Sequence, residues 1–315
     1  MSVQNPREVY GRTLVELGRE NPDVVVLEAD LGKSTMTCYF EEAFPERFFE
    51  MGIGEANMTS FAAGLSLTGK IPFVNSFAVF AAGRAYDQIR QGICIPKLNV
   101  KIVGSSAGLS DFGDGSSHQS VEDVAIMRAI PNLAVLLPAD ANETRAMTRA
   151  IAAHHGPVYM RITRNDMPDV TPPDAPFEMG RPRVLRDGSD IAVFATGQLV
   201  SDALQAAEAL EAEGASLRVI NVSTLKPVDE TALLDAARHV NGIVTAEEHS
   251  LIGGLASVVS YAFRGRGIPI RCVGIADEFG QSAHSYRELQ VAYGLTAERI
   301  AAHVRELAPP WSSRR

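Results

Sequence analysis

Apolar residues along the chain follow two rhythms that take turns from one end to the other. Short continuous runs rich in Val, Ile and Leu read as strands buried on both faces. Stretches with an apolar residue every three or four positions read as helices. Tyr10, Leu14 and Leu17 trace one face of an opening helix, which stops at Asn21-Pro22-Asp23. Val24-Val-Val-Leu27 follows as a buried strand ending in Glu28-Ala-Asp30. Further strands are predicted at Phe73–Asn75, Val100–Val103, Leu133–Leu137 and Val158–Ile162. Helices are predicted between them near 55–68, 77–92, 121–130 and 141–154, with Asp140 as N-cap of the last. Such alternation implies βαβ units and a mostly parallel sheet with helices on both faces.

The rhythm lapses between Pro168 and Pro182, a stretch that also holds Pro172, Pro173 and Pro176 and reads as an interdomain linker. A second alternation follows. Strands are predicted at Ile191–Ala195, Leu217–Val222, Gly242–Ala246 and Ile270–Ile275, with helices near 200–213, 229–239, 254–263, 285–293 and 297–307. The expected fold is α/β, two three-layer domains with mostly parallel sheets, covering residues 1–175 and 176–315. The closing Ser312-Ser-Arg-Arg315 is expected to fray.

Composition narrows the function. The 315 residues carry 29 Lys+Arg against 38 Asp+Glu, a net charge of −9, which argues against a nucleic-acid partner. No apolar run reaches the ~18 residues of a transmembrane helix, and Met1-Ser-Val-Gln-Asn-Pro-Arg7 lacks the pattern of a signal peptide. Cys38, Cys94 and Cys272 form no metal-ligand spacing and read as reduced thiols of a cytoplasmic protein.

Ligands of parallel α/β sheets sit in loops at the carboxyl ends of strands, and four such loops carry unusual residues. In Met51-Gly-Ile-Gly-Glu55 the glycines allow close backbone approach and Glu55 opens a helix, where it also reads as a dipole-stabilised carboxylate. Phe77 and Phe80, spaced i and i+3, can stack on a flat heterocycle or fill core. The stretch from Gly104 to Gln119, rich in Gly, Ser and Asp, reads as a long functional loop in which Asp114 and His118 can meet a polyhydroxylated substrate. Arg164, at the end of Arg161-Ile-Thr-Arg164, can clamp a phosphate or carboxylate, or pair with Asp166 or Asp169 at the surface.

Taken in order, these loops make the chain resemble the C-terminal part of transketolase, its pyrimidine-binding domain followed by its C-terminal domain. The resemblance runs through nearly the whole chain. It is carried by Glu28-Ala-Asp-Leu-Gly-Lys-Ser34, Gly54-Glu-Ala-Asn-Met58, Arg84-Ala-Tyr-Asp-Gln-Ile-Arg90, Asp114-Gly-Ser-Ser-His-Gln119, Leu137-Pro-Ala-Asp140, Thr163-Arg164, Leu225-Lys-Pro227 and Glu247-Glu-His-Ser-Leu-Ile-Gly-Gly254. Gly113-Asp-Gly115 resembles the start of a thiamine diphosphate metal motif, but the Asn pair that should close it is missing.

The resemblance implies thiamine diphosphate and transfer of a two-carbon ketol unit between sugar phosphates. Glu55 matches the glutamate that bonds N1′ of the aminopyrimidine, for which an apolar surrounding would keep its proton available. Phe77 and Phe80 match stacking aromatics, while the third has no clear match near Ala82 or Gly83. Asp114 matches the position reading the donor's C2 hydroxyl, and His118 the one contacting its carbonyl and C1 hydroxyl. Arg7, Arg164 and Ser34 match phosphate ligands. Ser106 stands where the family has a histidine, a departure that leaves room for another sugar.

The diphosphate domain of the family, with its divalent metal, has no counterpart here. The resemblance therefore implies a split enzyme: a separate N-terminal subunit holding diphosphate and magnesium, two copies of each chain, and no activity from this chain alone. His239, His249, His284 and His303 are expected to be structural or surface residues, His154 and His155 to suit the dipole at the end of their helix, and the second domain to serve the dimer interface, not the chemistry. Two relatives of the fold compete. The β subunit of a 2-oxo acid dehydrogenase has a similar length, the same two domains and the same glutamate role, but Ser34, Asp114–Gln119 and Arg164 suit a hydroxylated, phosphorylated ligand. Deoxyxylulose phosphate synthase shares Arg84–Gln88 and resembles the chain less around Asp30. A non-catalytic scaffold would not need Glu55, both aromatics and His118 together.

Overall fold

The computed structural model describes residues 2–307. The terminal stretch 312–315, expected to fray, lies outside the described residues. In chain order the strands are β1 (Val3–Gln4), β2 (Val24–Glu28), β3 (Phe48–Glu50), β4 (Ile71–Phe77), β5 (Lys101–Ser105), β6 (Ala134–Leu136), β7 (Val158–Arg161), β8 (Met167–Pro168), β9 (Arg183–Arg186), β10 (Ile191–Ala195), β11 (Leu217–Asn221), β12 (Thr224–Lys226), β13 (Gly242–Ser250) and β14 (Ile270–Ile275). They build two α/β units. The first is a seven-stranded sheet in the order β12-β6-β7-β5-β4-β2-β3, and the second a five-stranded sheet in the order β14-β13-β10-β11-β9. Both are parallel apart from the edge pairs β12–β6 and β11–β9.

The continuous apolar runs become strands covered on both faces, as their lack of alternation implies. In β2, Val24 and Val26 turn to one face and Val25 and Leu27 to the other, and all are buried. On the first face Tyr10, Leu14 and Leu17 of helix Pro6–Glu20 pack with Met147 and Ile151 of helix Ala141–Ala153. On the second lie Met58 and Ala62 of helix Glu55–Leu67 and Met127 of helix Asp123–Ala129. Asp140 caps its helix as expected, accepting from the Glu143 amide at 2.8 Å.

Three differences matter for the site. The helix expected over 77–92 is broken: Phe77 ends β4, Ala78–Gly83 is helical, a turn follows at Arg84 and Ala85, and Tyr86–Gln88 leads into a π-helical Ile89–Cys94. Gly83, a poor helix former, marks the break, and the bend leaves Arg84 exposed while Ala85 and Ile89 are buried. The loop from Gly104 to Gln119 is not a surface loop throughout, since Ser105 to Asp111 are all buried. Finally, β12 leaves the second half of the chain to extend the first sheet, with Thr224 opposite Leu136 and Lys226 opposite Val135. One apolar cluster is accordingly shared by both sheets, joining Met127, Ile130 and Leu133 to Leu225, Phe194 and Val258.

Candidate active site

The carboxyl ends of β2, β4, β5 and β7 lie side by side at one edge of the first sheet, where the unusual loops meet. Glu55 is the first residue of helix Glu55–Leu67, after a Gly54 N-cap, and is 4% exposed. The turn before it needs a left-handed residue, which Gly52 supplies with φ 65°. The Glu55 carboxylate is not in a purely apolar surrounding. Arg84 Nη1 donates to its Oε1 at 3.0 Å, and the same guanidinium lies 4.0 Å from the centre of the Phe80 ring. Phe77 and Phe80 are nearly parallel, 15° apart with centroids 6.1 Å apart. The His118 ring stands edge-on to Phe80 at 5.2 Å, and its Nδ1 meets Ser117 Oγ at 3.0 Å. Asp114 is exposed a turn earlier.

A second group gathers beside the first because the small β1–β8 pair ties the chain's start to the strand end that bears Arg164. Asn5 caps helix Pro6–Glu20 through the Arg7 amide and also donates to the Arg164 carbonyl at 3.2 Å. Arg7 is buried and donates from Nη1 to the Ser34 carbonyl at 2.6 Å, so it meets that residue's backbone and not its hydroxyl. Burial pushes the Arg7 guanidinium down to about 10, and Arg164 acts in the same direction. Arg164 lies 5.9 Å from the Phe77 ring and pairs with Asp111 at 3.1 Å, not with the surface carboxylates Asp166 or Asp169. Ser106 is fully buried with φ 50°, and its hydroxyl has no hydrogen-bond partner among the described residues.

The loop that carries Ser34 is built around a buried carboxyl. Glu28, at the end of β2, accepts from the Thr35 hydroxyl at 2.6 Å, the Thr37 hydroxyl at 2.7 Å and the Ala29 amide at 3.0 Å. Burial pushes it up to about 7 against the pull of those donors.

The second unit supports the loop of the site from behind. Glu248 of β13 accepts from the Leu109 amide at 2.7 Å and from the Tyr286 hydroxyl. Gln119 donates to the Gln281 carbonyl at 3.0 Å. Arg161 donates at 3.0 Å to the carbonyls of Ser120 and of Glu248, while its Nε pairs at 2.9 Å with a fully buried Asp123. His249 is structural as expected: it is buried, bonded to the Ser250 carbonyl, and pushed down to about 4 by burial.

The structure thus brings Glu55, Phe77, Phe80 and His118 together, places Arg7, Ser34 and Arg164 beside them, and keeps Asp114 and Ser106 on the loop between. Sequence reasoning passed over Arg84, Asp111 and Glu248. Arg84 and Glu248 lie within motifs that carry the resemblance, which was the available signal. Asp111 had none beyond being an acid in a Gly/Ser loop. Among the described residues no three His, Cys, Asp or Glu side chains are grouped to hold a metal ion.

Residues 3–169 match the family model described as transketolase, pyrimidine binding domain, and residues 180–300 that described as transketolase, C-terminal domain. A chain of Methanocaldococcus jannaschii whose name assigns it to the C-terminal section of transketolase is 44% identical, over 95% of each chain. A 6-deoxy-6-sulfo-D-fructose transketolase subunit of Clostridium sp. (strain MSTE9) is 40% identical, over 94% of this chain and 93% of that one. Among solved structures, a split gene transketolase described as an inactive beta4 tetramer superposes with a TM-score of 0.86 at 49% identity, covering 96% of this chain and 97% of that one.

Proposed function

The chain belongs to the transketolase family, and on that premise we propose that it is the C-terminal subunit of a split transketolase. Joined to a separate N-terminal, diphosphate-binding subunit, it moves a two-carbon ketol unit between sugar phosphates. The observation that carries the reading is the grouping of a buried carboxyl at a helix start with two near-parallel aromatic rings and a histidine at one strand edge.

That grouping fits the aminopyrimidine of thiamine diphosphate. A planar nitrogen-rich group already makes the two contacts required, since the Arg84 guanidinium is bonded to Glu55 and stacked on Phe80. Arg84 is half-exposed and has room to turn outward. Glu55 then holds a proton at the ring nitrogen, and Phe77 and Phe80 orient the ring. When bound, thiamine diphosphate supplies the carbon centre that carries the two-carbon unit. His118, with Nδ1 tied to Ser117, keeps Nε2 for the donor's carbonyl and C1 hydroxyl. Asp114 reads the C2 hydroxyl, and Arg7, Ser34, Ser106 and Arg164 receive the far end of the sugar. The diphosphate and magnesium belong to the partner, in an assembly of two copies of each chain. Since a serine stands at position 106, the substrate is a sugar other than the usual pentose phosphates.

The test is reconstitution with the N-terminal subunit, thiamine diphosphate and magnesium, followed by a ketol-transfer assay. The complex should turn over, this chain alone should not, and Glu55→Ala should lower kcat by about a hundredfold or more. Robust transfer by the single chain, or an unchanged rate in the Glu55→Ala complex, overturns the reading. Xylulose 5-phosphate turned over as well as every other sugar tested would sink the substrate claim alone.

A further inference from the structure

The pocket that receives the far end of the substrate is not a simple cationic cradle. Arg7 is 8% exposed, spends Nη1 on the Ser34 carbonyl at 2.6 Å, and leaves a buried Nε without a hydrogen-bond partner among the described residues. Arg164 gives its Nη1 to Asp111 at 3.1 Å, and the Asp111 side chain is only 5% exposed. The charges of Asp166 and Glu8 also act on Arg7. Ser106, buried and unpartnered, contributes a hydroxyl where the resemblance expects an imidazole. Compared with the phosphate pocket the resemblance implies, this one has a serine in place of a histidine, and one of its arginines is held by a buried carboxylate.

We propose that Asp111 is the specificity-determining residue of this pocket, setting it against a dianionic phosphate and in favour of a sugar whose far end is uncharged or singly charged. The inference rests on the ketol-transfer reading proposed above and narrows its substrate, replacing the sugar phosphate donor of that reading by one whose far end carries no phosphate. Asp111 holds Nη1 of Arg164, so an incoming phosphate competes with a nearby carboxylate for that donor and is repelled by it. Like charges set face to face in a desolvated pocket are a standard source of discrimination. An uncharged or singly charged end suffers less repulsion and finds donors and acceptors in Ser106, Arg7 Nε and Asp111 itself. Burial pushes the Asp111 carboxyl upward, while Arg164, His118 and Arg7 draw it back toward the charged form.

Asp111→Asn keeps the shape and removes the charge, and two measurements test it. The first is the rise in unfolding midpoint that inorganic phosphate gives to the assembled complex. It should be small in the natural protein and clearly larger in Asp111→Asn. The second is kcat/KM in the reconstituted complex for a phosphorylated ketose donor and for the same ketose without phosphate. The natural protein should favour the unphosphorylated donor, and Asp111→Asn should raise the ratio of phosphorylated to unphosphorylated at least tenfold, through KM and not kcat. The inference is overturned by a ratio that does not move, by a change carried by kcat alone, or by a natural protein that favours the phosphorylated donor tenfold. That last comparison decides the matter even if Asp111→Asn does not fold. Absence of transfer from any donor would instead sink the proposed function, with the phosphate-dependent midpoint still judging Asp111.

Discussion

At the scale of single residues, Glu28 shows how a buried carboxyl organises a loop. Its two side-chain oxygens gather the Thr35 and Thr37 hydroxyls and the Ala29 amide, and the surrounding backbone takes left-handed φ values at Asp30 and Met36. Burial raises Glu28 from 4.5 to about 7. The folded state therefore holds a proton between those values that the unfolded chain has lost. By linkage, the stability contributed by Glu28 is complete below about pH 4.5 and is lost as pH rises through about 7, an effect on the order of 3 kcal/mol. Glu28→Gln, neutral throughout, should lack this fall. Denaturant midpoints of the two proteins at pH 4.5 and pH 8 check it: the variant should gain on the natural protein at the higher pH, and a pH-independent difference would contradict the assignment.

At the scale of elements, the loop from Gly104 to Gln119 is held by what lies behind it. Gly108 has φ 65°, and a Cβ added there would meet Glu248 Oε1 at 2.1 Å. That carboxylate is the acceptor of the Leu109 amide. Gly108→Ala therefore both strains the backbone and displaces the buttress. We expect a loss of about 1–3 kcal/mol in stability and, at temperatures where the variant is still folded, a drop in ketol transfer, because His118 sits on the displaced segment. Unfolding curves and rates measured on the same preparation check this, and a destabilised variant with full activity would show that the loop's position does not matter. The buried Asp123–Arg161 pair secures the same region from below, and its geometry is complete: Asp123 also accepts from the Tyr159 hydroxyl at 2.7 Å.

At the scale of the whole molecule, the two sheets are not independent. The second half of the chain lends β12 to the first sheet, one apolar cluster spans both, and Glu248, Gln281 and Arg161 carry hydrogen bonds between them. No helix among the described residues is long and apolar enough to cross a membrane. The described units should unfold together. Calorimetry is expected to give one transition, with calorimetric and van't Hoff enthalpies equal. Two resolved transitions would mean that the shared cluster and β12 do not couple the halves.

The sequence by itself determined the alternation and hence the two α/β units, because strands buried on both faces must be apolar without interruption and the covering helices must repeat every three or four residues. Local patterns also singled out Glu55, Phe77, Phe80, His118 and Arg164 as candidates, since an acid after paired glycines, aromatics at i and i+3, a histidine in a Gly/Ser loop and an arginine at a strand end are read from short stretches; Arg7 was singled out only through the resemblance to the family. The tertiary structure alone decided who touches whom. Nothing local says that Arg84 turns back to Glu55, that Asp111 takes Arg164 from the surface acids, or that Glu248, some 140 residues on, holds the Leu109 amide. Those pairings depend on strand order and on the contact between the sheets, which bring distant segments within hydrogen-bond reach, and no short-range periodicity encodes them.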